Sequence, residues 1–130
     1  MNGETNLSVL LKTMRPVLNA GEYVFCMVKD PAIAAAHDVV MLFKEQEGYT
    51  LIIKKELADH LQLAYTFTTS WISLTVHSSL EAVGLTAAFS GALAEEGIPC
   101  NVVAAFYHDH IFVDKKDTLK AMRVLDRFAG

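Results

Sequence analysis

Residues 71–77 read W-I-S-L-T-V-H, and this short stretch decides the fold. Ile72, Leu74 and Val76 alternate with Trp71 and polar neighbours, which is the period of two that a β-strand with one buried face requires. The stretch therefore predicts a half-buried strand, and the elements around it define the architecture.

Downstream of this strand the apolar spacing becomes helical. Residues 85–93 carry buried positions one helical turn apart, and Gly97 follows where a left-handed glycine would end the helix. Residues 101–107 form a nearly continuous apolar run, which predicts a central strand covered on both faces. Residues 111–113 are expected to pair back across a turn at His108-Asp109-His110, and a helix over 119–128 completes the order β, α, β, β, α.

Upstream, residues 7–14 show one apolar stripe at helical spacing, ended by Pro16 and Gly21. Three runs of residues that favour strands follow, at 23–28, 39–44 and 49–53, and the last two are expected to form a hairpin. Residues 54–63 return to helical spacing. The first half therefore reads α, β, β, β, α.

Each half lacks one strand of a βαββαβ unit, and the simplest way to complete both is for the halves to share strands or edges. The predicted fold class is α+β, with tandem ferredoxin-like halves, antiparallel sheets and helices on one face. We expect an N-terminal half over 1–63 and a C-terminal half over 64–130.

Composition restricts the function. The chain has 130 residues, 52% of them hydrophobic and 20% charged, with a net charge of -4 and scattered basic residues, so neither nucleic acid nor a membrane surface is expected as a partner. No apolar run is long enough to span a bilayer, and the first ten residues lack the pattern of a signal peptide, so we expect a cytoplasmic protein. Cys26 and Cys100 lie in apolar strand-like runs and are expected to be reduced.

Three motifs of the C-terminal half carry a resemblance. Residues 77–86 (H-S-S-L-E-A-V-G-L-T), 97–101 (G-I-P-C-N) and 108–113 (H-D-H-I-F-V) resemble a bacterial family of small ACT-domain proteins, and residues 21–25 and 45–51 resemble its companion N-terminal portion. The resemblance implies ACT units that pair side by side, here as a homodimer or pseudo-dimer. It also implies an amino-acid-like effector held where ACT units join. It does not imply a reaction, and we expect no cofactor.

The candidate ligand site begins at the turn after residue 77. Ser78 and Glu81 match a capping box, which in its simplest interpretation only starts a helix. The free N–H groups and positive dipole of a helix start also suit a carboxylate, and Gly84 would let a ligand approach. Asn101 either binds the ligand across a unit interface or closes its own turn. The predicted ligand-binding residues are Ser78, Ser79, Leu80, Glu81, Val83, Gly84, Asn101 and Asp109.

Two alternatives remain from the residues. One is a dimerisation-only interaction module. The other is a small metal-binding protein or enzyme that uses His108, Asp109 and His110, but no third ligand is evident and a structural turn is the simpler interpretation. Ser78 and Ser79 beside His77 lack an acid to orient the imidazole, so no catalytic residue is predicted. The sequence therefore favours a regulatory sensor that is not an enzyme.

Overall fold

The structure, a computed structural model, describes residues 7–75 and 84–129. Within these ranges the helices are α1 (Leu7–Thr13), α2 (Ile33–Ala36), α3 (Lys55–His60), α4 (Leu85–Glu95) and α5 (Thr118–Asp126), with a 3-10 turn at Lys115–Asp117. The strands are β1 (Arg15–Leu18), β2 (Tyr23–Val28), β3 (Met41–Lys44), β4 (Tyr49–Lys54), β5 (Thr69–Thr75), β6 (Cys100–Ala104) and β7 (Asp109–Asp114). The contacts divide the chain into two compact units.

The N-terminal unit spans residues 21–69. Its strands follow the order β3-β4-β2, all antiparallel, and Thr69 pairs with Tyr23 at the other side of β2. Alternate side chains of β2 and β4 face one core together with Ala58 of α3. The fully or nearly fully buried members of this core are Val24, Cys26, Leu51, Ile53 and Ala58.

The C-terminal unit combines residues 70–130 with the first twenty residues of the chain. Its strands follow the order β1-β5-β7-β6, and β1 is antiparallel to β5 with Arg15 opposite Thr75. Helices α1, α4 and α5 cover one face of this sheet and share a single core with it. That core includes Leu10, Ile72, Leu74, Phe89, Leu93, Ile111, Val113 and Leu125, each 1% exposed or less.

The exchange of an N-terminal segment into the second unit has a clear physical cause. Leu10 and Met14 are 1% and 0% exposed, because they fill the core formed by α4, α5 and β5. β1 also supplies the fourth strand that this half lacks in sequence. The predicted sharing of elements between halves thus takes the form of α1 and β1 packing with residues 70–129. The division of the chain into domains at residues 63 and 64 stays a prediction.

Most of the predicted elements are confirmed, as is the α+β fold class. β2 has the predicted bounds, β3 and β4 form the predicted hairpin, and β5 alternates as expected. α4 ends just before Gly97, whose φ of +73° is left-handed. Helix α1 buries the predicted stripe.

Two predictions about the last hairpin are wrong. β6 lies at an edge of the sheet rather than at its centre, and Asn101 and Ala104 are exposed. The Ala105 N–H donates to the His108 carbonyl at 3.1 Å, so the turn lies at Phe106 and Tyr107. These two side chains are 83% and 73% exposed. The apolar run at 101–107 was therefore a strand followed by an aromatic turn, and Asp109 and His110 belong to β7.

β1 and the short helix α2 were not predicted from the sequence. In the sequence Pro16 is a signal that ends the first helix. It also fits an edge strand, because a backbone N–H that points to the outer side of a sheet has no partner strand to bond. In the part of the chain that the structure describes, no helix is long and apolar enough to cross a bilayer.

Candidate functional site

The turn between β5 and α4 holds most of the predicted ligand-binding residues. Ser78, Ser79, Leu80, Glu81 and Val83 lie outside the described residues, so their predicted roles stay predictions. Gly84 is described and directly precedes α4, with φ of +88° and ψ of -3°. A Cβ at this position would lie 3.3 Å from Leu7 Cδ2. The start of α4 therefore requires glycine for its backbone angle and is closely approached by α1.

The N-cap residue of α4 is Gly84, and the first N–H groups of the helix follow it. Gly84 has no side chain that could cap them, and its own carbonyl accepts from the Ala88 N–H at 2.8 Å, as the first helical bond should. A helix start that is not capped by its N-cap residue suits an anionic group. This geometry is compatible with a ligand carboxylate at the predicted place.

Asp109 and Asn101 lie on opposite faces of the C-terminal sheet. Along β7 the side chains alternate, so Asp109 shares the helix-covered face with Ile111 and Val113. Asn101 pairs with Phe112 and therefore lies on the other face, opposite the helices. The structure does not bring the two predicted residues together around one molecule held by a single chain.

Asp109 begins β7 at the end of the sheet where β5 reaches Thr75, since these neighbouring strands run in opposite directions. Burial raises the pKa of its carboxyl group, while the neighbouring His110 and His108 lower it by a smaller amount. A half-buried carboxylate with a raised pKa is a candidate partner for a cationic ligand group, because pairing with an ammonium group would offset its loss of hydration.

The face of the same sheet opposite the helices carries a polar cluster that the sequence did not predict. The Trp71 Nε1–H donates to His110 Nδ1 at 3.0 Å, and Ser73 Oγ lies 3.0 Å from the same nitrogen. Asn19 Nδ2 donates to Ser73 Oγ at 3.0 Å and to the Trp71 carbonyl at 3.2 Å. We call these four residues the His110 network. It links side chains of β5 and β7 to the residue that follows β1.

His108 lies beside this network. Its ring centroid is 6.5 Å from that of His110, and its Nδ1 is buried with no hydrogen-bond partner among the described residues. A buried polar atom without a partner destabilises the fold by roughly 1–3 kcal/mol. The two histidines share a face, because side chains two residues apart in an extended chain point the same way.

The geometry does not support the metal-binding alternative. His110 Nδ1 is occupied by Trp71 and Ser73, and Asp109 lies on the opposite face of the sheet from both histidines. Within residues 7–75 and 84–129 no three metal-ligating side chains lie together.

Ser73 and His110 are a nucleophile and a base within hydrogen-bond distance, but they lack the rest of a catalytic site. Among residues 7–75 and 84–129 no carboxylate hydrogen-bonds to His110, and Asp109 lies on the other face. The Nδ1 lone pair is also shared with the Trp71 indole N–H, which weakens it as a base. We therefore interpret the hydrogen bond between Ser73 and His110 as a structural contact between β5 and β7.

A separate cleft of about 450 Å³ lies in the N-terminal unit, where β2 approaches residues 64–66. Its walls are mainly apolar, and Cys26 is 4% exposed there. The residues lining the cleft are Phe25, Cys26, Met27, Thr50, Ala64, Tyr65 and Thr66. No cluster of converging charged groups lies among them, so this cleft is a weaker candidate than the turn before α4.

Comparison with known proteins gives the class of protein. Two ACT-domain family models match the chain in tandem, one over residues 2–70 and the other over residues 66–127. The chain belongs to the ACT domain family. No curated protein of known function matches it.

Solved structures agree with this assignment. A Vibrio cholerae protein of unknown function, described as a possible transport protein, is 46% identical, with a TM-score of 0.88 over 95% of this chain and 96% of that one. An Agrobacterium tumefaciens protein is 17% identical, with a TM-score of 0.74 over 88% of each chain. The ligand-free regulatory subunit of aspartate kinase from Thermus thermophilus is 12% identical, with a TM-score of 0.68 over 92% of this chain and 99% of that one. The last two likenesses show a shared fold.

Proposed function

We propose that this chain is a non-enzymatic regulatory module that binds an amino acid or a similar small zwitterion at the turn of residues 78–84. The observation that carries the proposal is the start of α4, where the N-cap residue is left-handed Gly84, which has no side chain to cap the first helical N–H groups. We propose that these groups donate hydrogen bonds to the ligand carboxylate. Helix α4 has eleven residues, long enough for its dipole to contribute.

The ammonium group of such a ligand needs acceptors, and we propose Asp109 as the main one. Its half-buried carboxylate lies at the same end of the sheet as the end of β5, from which the turn departs. A charge-assisted hydrogen bond of this kind contributes roughly 1.5–3 kcal/mol, which corresponds to about a 10- to 100-fold change in affinity. Asn101 lies on the opposite face of the sheet from Asp109. We therefore propose that it binds a ligand, or a second ACT unit, that lies against that face.

We also propose a homodimer, because the outer edge of β6 is available for pairing. The Ala105–His108 bond sets the alternation of the β6–β7 ladder, so the N–H and C=O groups of Val102 and Ala104 point away from β7. β6 reads C-N-V-V-A and has neither charge nor proline, the features that usually protect an edge, whereas β1 carries Arg15 and Pro16.

Dimerisation without an effector is the second candidate function, and the same edge favours it. Sedimentation of an Ala104→Pro variant tests the proposed dimer, since proline removes an outward N–H and leaves the β7 ladder intact. Ala104→Val is the matched control, because it keeps the N–H. We expect the proline variant to be monomeric and the valine variant to dimerise. Equal dimerisation of both variants would exclude this edge.

The effector is tested by a thermal-shift screen of the twenty amino acids, nucleotides and divalent metals, followed by calorimetric titration of any compound that stabilises the protein. Asp109→Asn should then weaken binding about 10- to 100-fold. Asp126→Asn, at an exposed aspartate at the end of α5, is the matched control and should bind normally. Equal affinities of the two variants would exclude Asp109, and a screen with no stabilising compound would favour the dimerisation-only module.

We place the module in the cytoplasm. The support is the pair of free cysteines, Cys26 and Cys100, in a compartment that keeps thiols reduced.

A further inference from the structure

His110 Nδ1 is approached by two hydrogen-bond donors. The Trp71 indole nitrogen can only donate, so its 3.0 Å contact requires Nδ1 to be unprotonated and to accept. Ser73 Oγ, also at 3.0 Å, already accepts from the Asn19 amide, which leaves its hydroxyl hydrogen free to donate to Nδ1. The Trp71 indole and the Ser73 hydroxyl therefore converge on the lone pair of His110 Nδ1, and Asn19 supports Ser73 from behind.

A proton on Nδ1 is incompatible with this arrangement. The protonated imidazole would place its N–H against the indole N–H at hydrogen-bond distance, so two donors would face each other. The hydroxyl of Ser73 could rotate to accept, but the indole cannot. Either the imidazole or Trp71 must move, and the direct side-chain bond between β5 and β7 is then lost.

The surroundings of His110 in the C-terminal unit favour the neutral ring. On β5 it faces Trp71 and Ser73, and across β6 it faces Val103, all uncharged. Asn19 is uncharged, and the Arg15 guanidinium at the start of β1 is bound to the carbonyls of Lys12 and Met14 at 2.8 and 2.9 Å. Directly before its own strand His108 is a second imidazole, and Asp109 lies on the other face. Burial lowers the pKa of His110, His108 lowers it further, and Asp109 raises it by less.

We propose that the His110 network is a pH-sensitive switch on the face of the C-terminal sheet opposite the helices: neutral His110 holds Trp71 against β7, and protonation of His110 breaks this hydrogen bond. The Trp71 ring also stacks on Phe112, with centroids 6.1 Å apart and planes 19° from parallel. Movement of Trp71 would disturb this stacked aromatic pair as well as the hydrogen bond, so the environment of the indole changes on acidification. The switch does not depend on an effector.

Trp71 is the one tryptophan of the sequence, so its fluorescence reports the switch directly. We expect the emission of the full chain to change with the loss or gain of one proton, at a midpoint below the value of about 6.5 for an unperturbed histidine. His110→Gln keeps an acceptor for the indole and has no titrating ring, so the transition should disappear. His60→Gln, at an exposed histidine of α3, is the matched control and should keep it.

Nitrogen NMR of His110 provides the second measurement, since it distinguishes the protonated from the unprotonated ring nitrogen. Trp71→Phe removes the indole donor, so the midpoint of His110 should rise in this variant even if His110→Gln does not fold. An emission transition that persists in folded His110→Gln would overturn the proposal. So would a proton found on Nδ1 at neutral pH, or a midpoint of His110 unchanged by Trp71→Phe.

Discussion

Gly84 shows how one residue of the candidate site is fixed by its backbone. Its φ of +88° belongs to the left-handed region, which side chains with a Cβ rarely adopt. A Gly84→Val substitution, which sequence alone would suggest for blocking a ligand, would therefore strain the backbone and press on Leu7 as well. Binding at this turn is better tested through Asp109.

The two glycines of the α4 region give a matched test of this strain. Gly84→Ala should lower the free energy of unfolding by about 1–2 kcal/mol, because it forces alanine into a left-handed conformation. Gly91 lies inside α4 with open space around its Cβ position, so Gly91→Ala should raise stability by about 0.5–1 kcal/mol. Urea unfolding of both variants measures the difference, and effects of the same sign would contradict it.

Asp109 makes the stability depend on pH. Burial raises the pKa of Asp109 in the folded protein above its value in the unfolded chain. The contribution of this carboxyl group to the free energy of unfolding is therefore most favourable below the unfolded pKa, and it is lost as the pH rises through the folded pKa. Asp109→Asn removes the buried charge. We expect the variant to be more stable than the natural chain at pH 7, with the advantage shrinking toward pH 4, as thermal unfolding across this range would show. An advantage that grows on acidification would contradict this account.

The two cysteines should react slowly with thiol reagents. Burial raises the pKa of both thiols, which lowers the fraction of reactive thiolate at neutral pH. Cys26 is buried and Cys100 half-buried, so Cys26 should react more slowly than Cys100. Labelling with a chromogenic disulfide reagent measures both rates, and the guanidinium-unfolded chain is the control. Reaction of native protein at the unfolded rate would refute the prediction.

At the scale of single elements, α1 shows that residues far apart in sequence complete one core. Leu10 is 1% exposed among residues of β5, α4 and α5, whereas its neighbour Val9 is 44% exposed. Leu10→Ala should lower the free energy of unfolding by about 2–5 kcal/mol through the cavity it leaves. Val9→Ala should change it by less than about 0.5 kcal/mol. Comparable losses in thermal or urea unfolding would show that α1 does not pack as described.

Elements with a strong local pattern could be predicted, and those that depend on distant partners could not. β5 and α4 carry clear periods of two and of one helical turn, so their type followed from spacing. β1 is four residues long and contains Pro16, and it is a strand because β5 lies beside it. The His110 network escaped prediction for the same reason, since Asn19 follows that strand. Only the shared face of Trp71 and Ser73 pointed to it.

At the scale of the whole molecule, the C-terminal unit includes the first twenty residues of the chain. We therefore predict that residues 64–130 do not fold alone. This fragment lacks β1, and it lacks Leu10 and Met14 from its core. We expect it to show no cooperative melting by circular dichroism, and we expect a synthetic peptide of residues 1–20 to restore a cooperative transition. Native-like melting of the fragment by itself would contradict the exchange of the N-terminal segment.

The same exchange sets the order in which the chain can mature during synthesis. Residues 7–20 leave the ribosome before β5, and this strand, which pairs with β1, follows about fifty residues later. At typical elongation rates of about 5–20 residues per second, the apolar stripe of α1 waits for seconds without its core. The N-terminal unit, whose pairings are all local to residues 21–69, can form in that interval. Translation speed, and chaperones that bind short apolar helices, are therefore the conditions that decide how much of this chain matures correctly.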